Sequence, residues 1–199
     1  MGLETWLMPL IKAGDTLKKL QIEIISDDQE LTLDYLRKGM VSACLSTSKK
    51  SLPGCKHHFL GSMEYVLVCS PDFKAHHFPK GQLDALSLLQ APAVLFDEKD
   101  DLHANYLQRF LRVNEPISRY HYLPSVAGFK LCTLNGGAFG MLPKIDIQQE
   151  LDSGELLELN PGNAWKMPLY WHSFAIESPA LRLLNARVMA LAAQSLVSE

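Results

Sequence analysis

Segments that read as strands alternate with segments that read as helices along nearly the whole chain, and this order constrains the fold more than any motif does. The helix patterns run over about Glu4–Leu20, from Asp27 or Asp28 to Gly39, over Gln82–Gln90, Leu102–Val113 and Lys144–Leu151, and from Ser178–Pro179 onward. Between them, Gln21–Ile25, Met40–Leu45, Met63–Cys69, Ala93–Phe96, Tyr120–Leu123, Ala138–Leu142, Leu156–Leu159 and Leu169–Phe174 carry period-two or continuous apolar patterns expected of strands. A strand that alternates with helices packs into a mostly parallel sheet covered on both faces, so the fold class is α/β. Breaks near Pro71 and Pro161 divide the series into two lobes crossed twice by the chain.

Helix punctuation agrees with this reading. Arg37-Lys38-Gly39 places cations in a last turn and a glycine just beyond it. Ser125 stands where it can cap a helix that ends at Asn135-Gly136-Gly137, and Ser178-Pro179 pairs a cap residue with proline at the first helical position. With 199 residues the chain is long enough for a sizeable core.

Composition removes several function classes. Net charge is −3 and the 19 basic residues are scattered, so no basic stripe suits direct nucleic-acid binding. Apolar runs such as Leu86–Leu89 and Val188–Ala193 are too short to span a bilayer, and no basic stretch precedes the first apolar residues as a secretory signal requires. Cys44, Cys55, Cys69 and Cys132 show no CxxC spacing, which points to free thiols in a reducing cytoplasm.

No catalytic constellation stands out. Gly136-Gly137-Ala138-Phe139-Gly140 follows a helix and leads into a strand, the reverse of a nucleotide-binding turn, so a helix end and close strand packing explain it. His57–His58 and His76–His77 are adjacent pairs whose side chains diverge on a strand, which does not suit one metal ion. There is no G-x-S-x-G elbow. The expectation is no enzyme, no metal and no cofactor.

Carboxylates are more informative. Asp27 and Asp28, and again Asp97, Glu98, Asp100 and Asp101, stand just past a strand and at the start of a helix. Ligands of open parallel sheets bind beyond such strand ends, although helix capping alone also accounts for acids there. The opening of the helix at Ser125–Ala127 presents free backbone N–H groups suited to a carboxylate, and Thr5 holds a similar position near the first helix. An acidic group for an ammonium and a helix terminus for a carboxylate together describe an amino-acid site. A closed charge pair at 4 Å contributes about 4 kcal/mol before desolvation at an effective dielectric near 20.

Six segments carry a family resemblance: Glu4-Thr-Trp-Leu-Met-Pro9, Leu36-Arg-Lys-Gly39, Phe96-Asp-Glu-Lys-Asp-Asp-Leu-His103, Gly140-Met-Leu-Pro143, Glu150-Leu-Asp-Ser-Gly-Glu-Leu156, and Leu169-Tyr-Trp-His-Ser-Phe174 followed by Glu177-Ser178. Across essentially the whole chain the sequence resembles the effector-binding domain of LysR-type transcriptional regulators. Within them it is similar to the arginine- and lysine-responsive subgroup also described as chromosome-replication initiation inhibitors. The resemblance implies two Rossmann-like lobes of periplasmic-binding-protein type II joined by two crossover strands, here 1–70 with 168–199 and 71–167. It implies a homodimer or tetramer, a cytoplasmic location, and a basic amino acid such as lysine or arginine held in the cleft between lobes. Carried over by position, the ligand would meet Thr5, Asp27, Asp28, Ser46, Asp100, Asp101, His103, Ser125, Tyr170 and Trp171. The winged helix–turn–helix that reads DNA has no counterpart in these residues, so DNA binding is expected of a longer parent protein only. The other reading is a solute-binding protein of an amino-acid transporter, disfavoured by the missing secretion signal and unpaired cysteines.

Overall fold

The caps and turns named above resolve into elements in a computed structural model, which describes residues 6–12, 18–27, 29–79 and 83–197. In chain order these are α1 (Met8–Lys12), α2 (Gln29–Arg37), β1 (Ala43–Ser46), β2 (Cys55–Cys69), α3 (Pro71–His77), α4 (Ala85–Gln90), β3 (Ala93–Leu95) and α5 (Leu102–Tyr106). They continue with β4 (Tyr120–Tyr122), α6 (Val126–Leu134), β5 (Phe139–Pro143), α7 (Gln148–Ser153), β6 (Leu157–Glu158), β7 (Trp165–Phe174) and α8 (Pro179–Ser195). The chain forms two compact units, Met1–Met63 with Lys166–Glu199 and Glu64–Trp165. It passes from the first into the second within β2 and returns at the start of β7.

In the first unit β1 pairs antiparallel with β7, Cys44 opposite His172 and Ser46 opposite Tyr170. Helix α8 is capped by Ser178, whose hydroxyl accepts from the Leu181 amide at 3.1 Å, with Pro179 at the first helical position. A polar link ties this helix to β7. Trp171 Nε1 donates to Asn185 Oδ1 at 2.7 Å, and Asn185 Nδ2 donates to Ser173 Oγ at 3.2 Å and Glu177 Oε1 at 2.9 Å. Gly61, with φ 128°, lets β2 approach the end of the chain: a Cβ there would stand 2.8 Å from Leu196 Cβ.

In the second unit β4, β3 and β5 are parallel neighbours, and β2 joins β5 antiparallel with Tyr65 opposite Pro143 and Val68 opposite Gly140. A core of Val66, Val68, Val94, Phe129, Ala138, Leu142, Ile147 and Leu156 fills the space between these strands and helices α6 and α7. Gly140 is required by that packing, since a Cβ there would lie 2.8 Å from Val94 Cγ1. Gly136, at φ 71°, ends α6 in the left-handed conformation, so the glycine group serves as a helix end and a close strand contact.

Several expectations need correction. The sheet is mixed: among the described residues β4–β3–β5 is a parallel block, and the pairings of β1 with β7 and of β2 with β5 and β6 are antiparallel. No strand forms over residues 21–27, where Ile24 and Ile25 stay exposed. Apolar alternation makes a strand only where a neighbour supplies the ladder. Pro71 starts a helix, capped by Ser70, as well as stopping β2. The helix expected over Leu102–Val113 is α-helical only to Tyr106; a π-helical turn over Leu107–Leu111 follows and ends at left-handed Arg112. His76 and His77 lie on a helix, not a strand.

Candidate functional site

Parallel pairing of β3 with β4 brings two loops out at one sheet edge. Leu95 is opposite Tyr122, and the Leu123 amide continues the ladder to Leu95 O at 2.9 Å. Residues 96–101 therefore leave β3 beside residues 123–125, which leave β4, both at the carboxyl ends where open sheets bind ligands.

The first loop is organised by its own carboxylates. Asp100 Oδ2 accepts from the Phe96 amide at 2.9 Å and Oδ1 from the Leu102 amide at 3.1 Å, so one side chain joins the end of β3 to the start of α5. Asp97 Oδ1 accepts from the Lys99 amide at 2.8 Å. Asp101 occupies the cap position of α5 without a side-chain cap bond, and its carboxylate is exposed. His103 is wholly buried, 1% exposed, and its Nε2 accepts from the Met141 amide of β5 at 3.1 Å. An acceptor nitrogen carries no proton, so this ring is neutral with its proton on Nδ1. Burial pushes its pKa down to about 4, with the charge of Asp100 opposing that shift.

The second loop ends at Ser125, whose Oγ accepts from the Gly128 amide at 3.2 Å to cap α6. Phe129 N to Ser125 O is the first intrahelical bond, so the amides of Val126 and Ala127 precede it on an exposed terminus. Lys130 fixes the same helix from its other side, reaching Glu150 Oε1 at 2.5 Å and Asp146 O at 2.9 Å. Burial raises the Asp146 carboxyl to about 6, the Lys130 charge opposing it, and its Oδ2 is buried without a hydrogen-bond partner.

The remaining expected residues fall in the first unit. Ser46 is buried and its Oγ accepts from the Ser48 amide at 3.1 Å. Tyr170 is half-buried, its ring centroid 5.4 Å from Phe59 and 6.3 Å from His57. Trp171 is buried with its indole N–H held by Asn185. Asp27 is exposed and accepts a hydrogen bond from the Tyr35 hydroxyl. Thr5 and Asp28 lie outside the described residues. The structure thus brings Asp100, Asp101, His103 and Ser125 to one edge of the second unit's sheet, and places Ser46, Tyr170 and Trp171 on the β1–β7 pair.

Sequence reasoning missed His172, which is fully buried on β7 and holds the carbonyl of Ser48 at 2.8 Å. The Trp171–His172 segment marked the strand, but nothing local indicated a partner 124 residues away. Among the described residues no group of three or more His, Cys, Asp or Glu side chains is arranged to hold a metal ion, and no helix is long and apolar enough to cross a membrane.

Comparison with known proteins identifies the family of the chain. The family pattern described as "LysR substrate binding domain" matches residues 3–193. The chain belongs to the LysR substrate-binding-domain family. It is 34% identical over 195 residues to the HTH-type transcriptional regulator ArgP of Photobacterium profundum, covering 98% of this chain and 65% of that protein. The chain therefore spans just under two thirds of that relative. Among solved structures, the C-terminal domains of a LysR family protein from Agrobacterium tumefaciens match with a TM-score of 0.89 at 32% identity, over 99% of this chain and 94% of that one. Full-length LysG from Corynebacterium glutamicum with bound effector Arg matches with a TM-score of 0.86 at 26% identity, over 98% of this chain and 66% of that one. The LysR-family neighbours have the type II periplasmic-binding-protein fold, and the chain shares it.

Proposed function

We propose that this chain is the effector-sensing domain of a LysR-type transcriptional regulator and that its effector is a basic amino acid, lysine or arginine. The observation that carries the reading is the likeness over 98% of the chain to LysG, a regulator whose structure holds arginine as effector. The local chemistry agrees. On the second unit an exposed Asp101 carboxylate suits an ammonium or guanidinium, and the amides opening α6 beyond Ser125 suit a carboxylate. Asp100 holds the loop that carries Asp101, while Ser46 and Tyr170 are the first unit's proposed contacts. Ligand binding then shifts the population of domain conformations and so alters how the parent regulator sits on DNA. ArgP and LysG relatives favour this reading over a transporter's solute-binding protein.

Thermal unfolding in the presence of each common amino acid tests it. Ligand at 100-fold over its dissociation constant adds about 2.7 kcal/mol. For a chain of this size that is a shift of roughly 5–10 °C. The expected result is a shift with L-arginine or L-lysine and none with L-alanine or L-glutamate. A flat response to both basic amino acids overturns the effector assignment.

A further inference from the structure

Two serine turns and one histidine bond help to shape the loop that follows β1. Residues 47–50 form no helix or strand. Within it Ser46 Oγ accepts from the Ser48 amide at 3.1 Å, and Ser48 Oγ accepts from the Lys50 amide at 3.2 Å. Both are local turns, which favour a bend without fixing its direction against the sheet. One tie to the sheet comes from β7. His172 Nε2 lies 2.8 Å from the Ser48 carbonyl oxygen, and because a carbonyl can only accept, Nε2 must carry the proton.

The environment keeps that tautomer in place. The imidazole is 0% exposed, its Nδ1 is buried without a hydrogen-bond partner, and the His57 ring stacks over it at 5.6 Å with 25° between planes. Burial lowers the pKa of His172, the bond to Ser48 opposes that shift, and the neighbouring His57 adds to it. Donation from a buried, neutral ring is a directional bond in a low-dielectric setting, where breaking it strands a carbonyl and a ring N–H together.

We propose that His172 is a positioning residue for effector binding: its Nε2–H fixes the Ser48 carbonyl and thereby sets the Ser46–Lys50 loop in the conformation that meets the ligand. This rests on the reading that Ser46 and its loop contact a basic amino acid. It requires a donor at the Nε2 position and neither the charge nor the aromaticity of histidine. Glutamine places an amide N–H close to that position, asparagine falls short of it, and leucine supplies none.

The test uses the 199-residue chain as wild type, His172→Gln, His172→Asn and His172→Leu. Amide hydrogen exchange is followed in a peptide covering 46–50 and, as an internal reference, in one covering β5. L-Arginine affinity is measured by calorimetry. Loss of one such bond corresponds to roughly 5- to 10-fold. Expected are faster exchange over 46–50 by that factor in His172→Leu and His172→Asn, unchanged exchange in β5, and weaker arginine binding. His172→Gln should return both quantities to near wild type. Unchanged exchange over 46–50 in the leucine and asparagine variants, or a glutamine variant no better than leucine, overturns the proposal. Should leucine fail to fold, the glutamine–asparagine comparison decides alone. Wild-type protein that binds no arginine contradicts the effector reading instead, while the exchange data still decide whether His172 sets the loop.

Discussion

Two buried histidines illustrate how single atoms set local structure. His103 accepts through Nε2 and His172 donates through Nε2, so the two rings are locked in opposite tautomers. Both are held neutral by burial. An unfolded histidine takes up its proton near pH 6.5, whereas native His103 does so only near pH 4. Between those values the unfolded state binds more protons, so this contribution is complete above about pH 6.5 and is lost as pH falls towards 4. Asp146 acts in the opposite sense, since its native pKa of about 6 lies above the unfolded carboxylate value. Native protein binds that proton more readily over the window from about 6 down to 4, so the buried charge is a cost at neutral pH. Asp146→Asn is expected to raise the unfolding midpoint at pH 7.5, with the gain shrinking as pH is lowered through that window. Calorimetry at both ends of the range checks it, and equal midpoints at pH 7.5 contradict it. Asp100→Ala removes the acceptor of two loop amides and is expected to cost about 1–3 kcal/mol in urea unfolding. A loss within 0.5 kcal/mol, the range of neutral surface changes, contradicts the loop assignment.

At the scale of elements, packing against a neighbour decided what local pattern left open. Gly140→Ala forces a methyl to within 2.8 Å of Val94 Cγ1 and is expected to destabilise by about 1–3 kcal/mol. Adding Val94→Ala should recover part of that loss, which a two-variant cycle measures; strict additivity contradicts the contact. Ser178→Ala is expected to cost about 1 kcal/mol through the lost cap of α8. The Ser178-Pro179 signature was legible because caps are local chemistry. Ser70-Pro71 carries the same signature and opens α3, yet the apolar run before it draws attention to the strand end alone. The first half of β2 was hidden for the converse reason: Lys56, His57, His58 and Phe59 are exposed and give no apolar pattern, although they lie within the strand. Gln21–Ile25 has the pattern and gains no ladder. Asp100, Asp101 and Ser125 could be placed from sequence because each follows a strand and precedes a helix. The partners of His103, His172 and Lys130 could not, since they depend on which distant elements meet.

For the whole chain, strand–helix alternation fixed the α/β class, and the resemblance carried the family. The second unit holds its proposed ligand groups on two adjacent loops whose geometry follows from one parallel strand pair. That arrangement makes the central claim specific, because Asp101 bears an exposed carboxylate that the α5 cap does not use. Replacing it should leave the fold intact and remove only a charge from the site. The most direct measurement is a calorimetric titration of the wild-type chain and Asp101→Ala with L-arginine. The account predicts saturable binding to wild type and an affinity at least about 10-fold weaker in the variant, the equivalent of about 1.4 kcal/mol. Arginine bound equally tightly by both proteins contradicts it.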